Sequence, residues 1–440
     1  MTNRSGGPAS PEPGRRRGSR SRRKWRSSLA TAATLGLTAT LLSSCGSDSD
    51  ALVWYINPDA GGQAAVAAAC SDELGFEITT QVLPQAAGEQ RIQLARRLAA
   101  EDPAIDLMSI DPPYTAEFAN AGYLAEIPAD MQERMREQAF EGAAAAATWD
   151  DQLVVAPFWS NTQVLWYRKS FVQKTNLDMS QPVTWDDIIQ AAAEGGGKVA
   201  VQSNKYEGYS VWINALIAGA GGDIATDTEK GAEATIEVDS EPGRVAAGII
   251  EELAGSTAAP DDMSVAQEGQ AGATFGGEQG AFMVNWTYVL TGAGYPEDVV
   301  KDIGYTRYPQ SVEGEESRPP YGGIGIGVSE FSDQKEQAIE ALECLTSPDN
   351  QGLNAELTGN MPSSAAGYDW PALKEIYPQD LLDLFQQSLE AAAPRTVSPY
   401  WSDISGALLS RFHPPSSVDD ETPEDAQSFI EDVLQQRSLL

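Results

Sequence analysis

The chain has 440 residues, of which 42% are hydrophobic and 21% are charged, and its formal net charge is −35 at pH 7. Nine of the 29 basic and one of the 64 acidic residues lie in positions 1–44, which leaves 20 basic and 63 acidic side chains and a formal charge of −43. Nucleic acid and anionic membrane surfaces are bound by clustered Lys and Arg, so this balance argues against both as partners of the body. The length exceeds that of one ordinary core and predicts two lobes.

The first 44 residues predict an export signal. Their basic residues precede an apolar stretch of 14 residues from Leu29 to Leu42, whereas a membrane-spanning helix needs about 20. The segment Leu42-Ser43-Ser44-Cys45 resembles the lipobox of bacterial lipoproteins, in which the cysteine carries the lipid. A plain signal peptide with a chance cysteine is the alternative. We therefore expect an extracytoplasmic protein anchored to the cell membrane by lipidated Cys45, with residues 45–50 as a spacer and the export route, Sec or twin-arginine, left open.

The beginning of the body alternates between strand and helix patterns. Short apolar runs predict strands at 52–56, 76–83 and 105–110, and helical spacing predicts helices at 63–74 and 87–101. This order is typical of a parallel sheet covered by helices on both faces. Ligands of such sheets bind beyond the carboxyl ends of the strands, so Asn57 to Asp59 and Asp111 are expected to face a crevice.

A second block is predicted from residue 164 onward. Residues 164–172 are expected to form a strand, and Thr184 is expected to cap a helix that ends at the glycines 195–197. Proline and glycine pairs at 319–323 predict a loop before a strand at 324–328, and residues 423–440 predict a closing helix.

Two cysteines and one histidine remain in the body. Cys70 and Cys344 form an even pair in an oxidising compartment, which predicts a disulfide, with two buried thiols as the alternative. His413 has no second imidazole with which to share a metal, so we expect no metal and no cofactor.

Several segments resemble a known family. Residues 165–171 with 182–187, residues 275–283 (FGGEQGAFM), residues 322–326 and residues 335–351 resemble, in order, the family 1 extracellular solute-binding proteins of carbohydrate ABC importers. Residues 106–111, 115–124 and 157–162 resemble the trehalose-binding lipoprotein branch.

The resemblance implies an α/β fold of two lobes of the periplasmic-binding-protein (Venus-flytrap) type, each a mostly parallel sheet flanked by helices, joined by a hinge. Residues 51–160 plus about 287–330 would form one lobe, and residues 161–286 plus about 331–440 the other. It also implies a non-enzymatic monomer that captures a disaccharide, trehalose or an analogue, and delivers it to ABC permease subunits.

A disaccharide site needs carboxylates, amides, a guanidinium and an aromatic ring, because sugar hydroxyls both donate and accept hydrogen bonds. The sequence and the resemblance together give eight candidates: Asp111, Asn161, Trp286, Glu268, Arg395, Gln90, Asn57 and Gly323. Each has a plainer interpretation: a helix cap for Asp111, a loop amide for Asn161, a core ring for Trp286, surface charges for Glu268 and Arg395, an exposed helical amide for Gln90, and a turn for Gly322-Gly323. In the first loop, Pro58 departs from the family pattern and weakens the transfer to Asn57.

Other functional classes fit parts of the same pattern. A surface-anchored glycosidase would use Asp111 and Glu268 as paired carboxylates. A binder of peptides or iron would use the same scaffold with other ligand groups. The GxxxxGK[ST] phosphate-binding loop does not occur in the sequence, so the chain is not the transporter's ATPase.

Overall fold

A computed structural model of the chain describes residues 51–292 and 294–440. The predicted export signal and the predicted lipidation site at Cys45 lie outside the described residues. None of the described helices has the length and apolar character that crossing a bilayer requires.

The described strands, numbered in chain order, are β1 Leu52–Ile56, β2 Ile78–Val82, β3 Leu107–Ile110, β4 Thr148–Trp149, β5 Gln152–Leu153, β6 Ala156–Arg168, β7 Lys198–Ala200, β8 Ala225–Thr226, β9 Thr235–Ile236, β10 Gly280–Trp286, β11 Ile303–Thr306 and β12 Tyr321–Val328.

The described α-helices are α1 Gly62–Leu74, α2 Ala87–Leu98, α3 Thr115–Asn120, α4 Ala129–Gln138, α5 Glu141–Ala146, α6 Lys169–Val172, α7 Trp185–Gly195, α8 Glu207–Gly219, α9 Glu241–Gly255, α10 Glu268–Gly276, α11 Val289–Gly292, α12 Glu297–Asp302, α13 Lys335–Leu345, α14 Pro348–Thr358, α15 Pro371–Ile376, α16 Gln379–Glu390, α17 Trp401–Phe412 and α18 Thr422–Leu434. Short 3-10 turns include one at Pro112–Tyr114, directly after β3.

One long strand, β6, belongs to two sheets. Its first half, residues 156–162, pairs with β12, which continues through β3 and β1 to β2. Its second half, residues 163–168, lies between β10 and β11, and β10 pairs in parallel with β7. We call the first set of strands, with its helices, the first lobe, and the second set the second lobe. The strand that runs through both sheets forms the hinge of the predicted two-lobed α/β fold, and this fold class is confirmed. The expectation of a mostly parallel sheet in each lobe is wrong, because β12 pairs antiparallel with β3 and β6, and β6 pairs antiparallel with β10 and β11.

In the first lobe, a buried polar chain fixes the loop after β1. The Trp54 indole donates to Ser109 Oγ (3.1 Å), which donates to Gln63 Oε1 (2.6 Å), and the Gln63 amide donates to the Asn57 carbonyl (2.9 Å). Each of these buried polar groups therefore has a partner, as burial requires. Helices α13 and α14 pack against α1, and the predicted disulfide between Cys70 and Cys344 joins α1 to α13.

In the second lobe, α8 is buried along almost its whole length and packs on α9 and α17. The predicted cap of α7 is confirmed: Asp187 N donates to Thr184 Oγ1 (3.0 Å), and Thr184 N donates to Asp187 Oδ2 (2.8 Å). The predicted end is also confirmed, because Gly196 follows α7 with a φ of 72°. The lobe boundaries predicted from the sequence stay a prediction.

Two predicted elements are wrong in extent. The strand expected at 164–172 begins at Ala156 and ends at Arg168, and residues 169–172 form a helical turn. Its first half is buried throughout and holds a proline and three polar residues, so it shows no alternation of polar and apolar side chains. The loop expected at 319–323 is also shorter, because Gly322 and Gly323 lie inside β12.

Candidate ligand-binding site

The parallel strands β1 and β3 end beside each other, and their following residues lie at the same edge of the sheet. Asp111 follows β3 directly and occupies the N-cap position of the turn at 112–114, but its side chain makes no capping bond there. Asp59 caps α1 by accepting from Gly61 N (2.8 Å) and Gln63 N (2.9 Å). Among the described residues, the buried Asn57 Oδ1 atom has no hydrogen-bond partner. Asp111 and Asn57 therefore lie at the predicted edge, whereas Asp59 is occupied by the helix.

An arginine joins Asp111 to the second lobe. Arg395 Nη2 donates to Asp111 Oδ1 at 2.8 Å, and Arg395 Nη1 donates to Glu207 Oε1 at 2.8 Å. The Arg395 side chain is 5% exposed, so the alternative interpretation of Arg395 as a solvated surface charge is wrong. Because Asp111 follows β3 and Glu207 opens α8, the three charges form a chain from one lobe to the other.

Glu207 is held from several sides. The Trp401 indole donates to Oε1 (2.9 Å), Ser405 Oγ donates to Oε2 (2.9 Å), and the Tyr114 hydroxyl lies 3.5 Å from Oε2. Sequence reasoning missed Glu207. The signal was weak, because an acidic residue in the first turn of a helix is ordinary stabilisation of the helix dipole.

Burial and charge act against each other in this cluster. Burial raises the pKa of the Asp111 carboxyl above its usual value, the Arg395 charge counteracts part of this, and the nearby Glu207 raises it further. Burial opposes the charge of Arg395, but Asp111 and Glu207 outweigh it and its pKa lies above the usual value. The Arg395 guanidinium therefore stays charged. Its positive charge allows the Asp111 and Glu207 carboxylates to lie close together in a partly buried site.

Glu268 lies beside this cluster. Burial raises the pKa of its carboxyl, and the charge of Asp111 adds to the rise. The Tyr206 hydroxyl is buried nearby without a well-formed hydrogen bond among the described residues, and burial followed by the Glu268 charge raises its pKa well above the usual value. The alternative interpretation of Glu268 was a solvated surface charge. The partial burial of the Glu268 side chain does not match that interpretation.

Side-chain amides connect Glu268 to the strands. The Gln163 amide donates to Gln202 Oε1 (3.4 Å), the Gln202 amide donates to Asn285 Oδ1 (3.2 Å), and the Asn285 amide donates to the Glu268 carbonyl (3.3 Å). Since Asn285 precedes Trp286 at the end of β10, the network places Glu268 next to that ring's strand.

Asn161 lies in the middle of β6, not in a loop. Its Nδ2 atom donates to Asn360 Oδ1 (2.9 Å), and its Oδ1 atom accepts from Met361 N (3.2 Å) and from Thr287 Oγ1 (3.3 Å). Asn161 is thus buried at the point where β6 passes from one sheet to the other, and Nδ2 donates to a single acceptor within residues 51–292 and 294–440.

Trp286 is half-buried and pairs with Gln163 at the end of β10. A Cβ atom built on Gly322 would lie 2.7 Å from Trp286 Cζ3, so the ring lies against the bare backbone of β12. Gly323 has a φ of 140°, and a Cβ there would lie 2.2 Å from the Trp159 carbonyl oxygen. The glycine pair therefore serves close approach inside the sheet, and its interpretation as a turn is wrong.

Gln90 lies in α2, and its amide is used locally. It is 7% exposed, and Nε2 donates to the Pro84 carbonyl at 2.9 Å, so the interpretation as an exposed helical amide is wrong. The structure thus groups Asp111, Arg395 and Glu268 with the unpredicted Glu207, and it places Asn161, Trp286 and Gly323 at the strand crossing.

Comparisons with known proteins agree with this architecture. The family model described as bacterial extracellular solute-binding protein matches residues 56–352. Maltose-bound MalE3 of T. maritima is 22% identical, with a TM-score of 0.76 over 88% of this chain and 100% of that chain. The GacH receptor of Streptomyces glaucescens, solved unliganded and with acarbose, is 19% identical, with a TM-score of 0.72 over 88% of this chain and 97% of that chain.

The sugar-binding protein MalE from Xanthomonas citri is 17% identical, with a TM-score of 0.72 over 88% of this chain and 98% of that chain. At these identities the structural likeness establishes the fold. The family match covers more than half of the sequence, and the chain belongs to the bacterial extracellular solute-binding protein family.

Proposed function

We propose that this protein is the ligand-capturing lipoprotein of an ABC importer for a disaccharide, with α,α-trehalose as the ligand. The observation that carries the proposal is a half-buried tryptophan at the strand crossing together with a partly buried carboxylate–guanidinium cluster that joins the two lobes. An aromatic face and charged hydrogen-bonding groups are the two kinds of surface that a disaccharide needs.

Each candidate has a role in this proposal. Trp286 would stack on the C–H face of one ring. Asp111 and Glu268 would accept hydroxyl protons, and the Arg395 guanidinium would donate to a hydroxyl oxygen. The Arg395 Nε atom is buried and has no acceptor among the described residues, and a ligand oxygen that reached it would satisfy this donor. Hydrogen bonds to charged groups contribute about 1.5–3 kcal/mol each, so three of them with a stacked ring reach micromolar affinity.

The remaining candidates would define the floor of the site. Asn161 would offer its second amide hydrogen, and Gly323 would let the β12 backbone approach the sugar. Asn57 would contribute the oxygen that lacks a partner among the described residues. Gln90 would act through the loop that its amide fixes.

The relatives support a sugar as the ligand class. The T. maritima structure is of a maltose-bound protein, the S. glaucescens receptor was solved with acarbose, and a Thermotoga lettingae solute-binding protein of the same fold was solved with α-D-tagatose. The choice of trehalose within this class depends on the resemblance of segments 106–111, 115–124 and 157–162 to the trehalose-binding branch.

Capture would follow from the shared strand. A small rotation at the middle of β6 would move the lobes, and ligand groups from both sides would meet only when they close. The protein would act as an extracytoplasmic monomer, held by lipidated Cys45, and present the closed form to the permease subunits.

Calorimetric titration of the purified full chain with α,α-trehalose, maltose and a peptide mixture tests the proposal. We expect saturable binding of trehalose, weaker binding of maltose and none of peptides. The same samples are then assayed for free glucose, and we expect no release. Glucose release would favour the glycosidase with Asp111 and Glu268 as its carboxylates, and binding of peptides alone would refute a sugar receptor.

A further inference from the structure

We infer that Glu207 is a positioning residue: it holds the Arg395 guanidinium of the second lobe at the place where it meets Asp111 of the first lobe. The inference deepens the proposed function and, for its ligand arm only, rests on it.

The geometry around Glu207 is that of a fixed anchor. Its side chain is 9% exposed, and its two oxygens accept from Arg395, Trp401 and Ser405 at 2.8–2.9 Å. Trp401 and Ser405 lie one turn apart on α17, so this helix fixes the carboxylate before any ligand arrives. The long arginine side chain, by contrast, has many rotamers and loses them only when a partner holds it.

Arg395 itself lies in the extended segment between α16 and α17. Its neighbour Pro394 accepts a hydrogen bond from the Asn214 amide (3.2 Å), which connects the segment to α8 as well. The end of the arginine side chain depends on the two carboxylates, with Nη1 at Glu207 and Nη2 at Asp111. The segment is also bonded to β12 of the first lobe, because the Ala393 carbonyl accepts from Tyr321 N (3.0 Å), so the Glu207 contact is what holds the guanidinium itself to the second lobe.

This arrangement assigns different roles to the two carboxylates. Asp111 contacts the guanidinium from the first lobe through Oδ1, which leaves Oδ2 as the acceptor for a sugar hydroxyl. Glu207 has its acceptors occupied by protein donors and acts on the ligand only through Arg395. Glu207 would therefore determine affinity without touching the sugar.

The ligand-free arm of the test measures how fast the Arg395 guanidinium rotates. Arginine-selective ¹⁵N labelling of the full chain gives a side-chain signal for Arg395, assigned by its loss in Arg395→Lys. We expect slow guanidinium rotation in the wild type, fast rotation in Glu207→Ala and an intermediate rate in Glu207→Gln. Glu251→Gln, an exposed glutamate on α9, is the matched control and should leave the rate unchanged. Equal rates in the wild type and both Glu207 variants would overturn the inference. Glu207→Gln provides the readout if the alanine variant does not fold.

The ligand arm measures trehalose affinity by calorimetry. We expect at least a tenfold loss in Glu207→Ala, a smaller loss in Glu207→Gln, and no further loss when Glu207→Gln is added to Arg395→Lys. Additive losses would overturn the inference, because they would mean that Glu207 acts independently of Arg395. If the wild type binds no sugar while Glu207 variants still release the guanidinium, the proposed function fails and the positioning role stands.

Discussion

Gly322 and Gly323 are neighbours in β12, yet their replacement by alanine should affect different properties. A Cβ at position 322 would lie 2.7 Å and 2.9 Å from two carbons at the far end of the Trp286 ring. That ring is half-buried and can move. A Cβ at position 323 would lie 2.2 Å from the Trp159 carbonyl oxygen, which belongs to the paired strand and cannot move without breaking the sheet.

The magnitudes follow from these contacts. For Gly323→Ala, the φ of 140° costs about 1–3 kcal/mol in an L-residue, and the overlap with backbone costs about 1–3 kcal/mol more. At roughly 2.1 cal/mol/K per residue, the unfolding entropy of the body is about 0.8 kcal/mol/K, so the Tm should fall by about 2–7 °C. Gly322→Ala should cost under about 1 kcal/mol of stability, because only the ring shifts. The displaced ring should weaken sugar binding about tenfold, which corresponds to about 1.4 kcal/mol.

Thermal melts and calorimetric titration with trehalose measure the two effects separately. The control is Gly248→Ala: position 248 lies in α9 with no heavy atom within 4 Å of a built Cβ, and alanine there should raise stability by about 0.5–1 kcal/mol without changing affinity. In a Trp286→Ala background, Gly322→Ala should cause no further loss of affinity. The reasoning is refuted if Gly322→Ala lowers the Tm as much as Gly323→Ala and leaves sugar binding intact.

Three further predictions concern other parts of the molecule. Asp111→Asn should abolish measurable trehalose binding. Asp59→Ala removes the cap of α1 and one acceptor of the Gln63 amide, and it should cost about 1 kcal/mol of stability with unchanged affinity. Titrations and melts of both variants check this contrast, and equal losses of affinity would contradict it. Replacing both Cys70 and Cys344 by serine removes a link across 274 residues and should lower the free energy of unfolding by about 2–5 kcal/mol in denaturant titrations; an unchanged midpoint would show that the link contributes nothing. Burial is the main cause that raises the pKa of Asp111 above 3.8 and that of Glu268 above 4.5. The folded state therefore keeps protons on these carboxyls at a pH at which the unfolded chain has released them. The stability that this protonation contributes is lost as the pH rises through the raised pKa values. Lowering the pH from 7 towards those pKa values should therefore raise the Tm. Trehalose affinity should fall over the same range, because Arg395 loses a charged partner. Melts and titrations at matched pH measure both quantities, and a Tm that falls together with the affinity would refute the predicted direction of the stability change.

Much of the first lobe could be predicted because its signals are local. The helix expected at 63–74 is found at Gly62–Leu74, and the strand expected at 52–56 has those bounds. The Thr184 cap was predictable for the same reason, since both partners of the capping box lie within four residues of each other.

The first half of β6 could not be predicted, because its signal is tertiary. Residues 156–162 are buried by two lobes at once, so polar side chains such as Asn161 are inside and the alternation typical of a half-buried strand is absent. In a single sequence, a glycine that allows close backbone approach inside a sheet cannot be distinguished from a glycine that forms a turn. Only the Trp286 ring over Gly322 distinguishes the two.

The charged cluster shows the same limit at the level of the site. Asp111 was predictable from its position after a strand, but Arg395 and Glu207 lie 284 and 96 residues further along the chain. Arg395 and Glu207 can both be buried because each neutralises the charge of the other. An acidic residue in the first turn of a helix is usually solvated, and Glu207 is the exception because Trp401 and Ser405 hold it.

In the proposed function, the division of the ligand groups between the lobes couples binding to closure. A ligand shifts the equilibrium between open and closed forms only by its difference in affinity for the two. Asp111 belongs to the first lobe, while Arg395 is held to the second by Glu207. A sugar that contacts Asp111 alone gains nothing from closure, whereas one that also reaches Arg395 gains the charged bond only in the closed form. A monosaccharide too short to reach both should therefore bind without closing the lobes, and small-angle scattering with glucose and with trehalose at saturation should give a smaller radius of gyration for the trehalose complex alone.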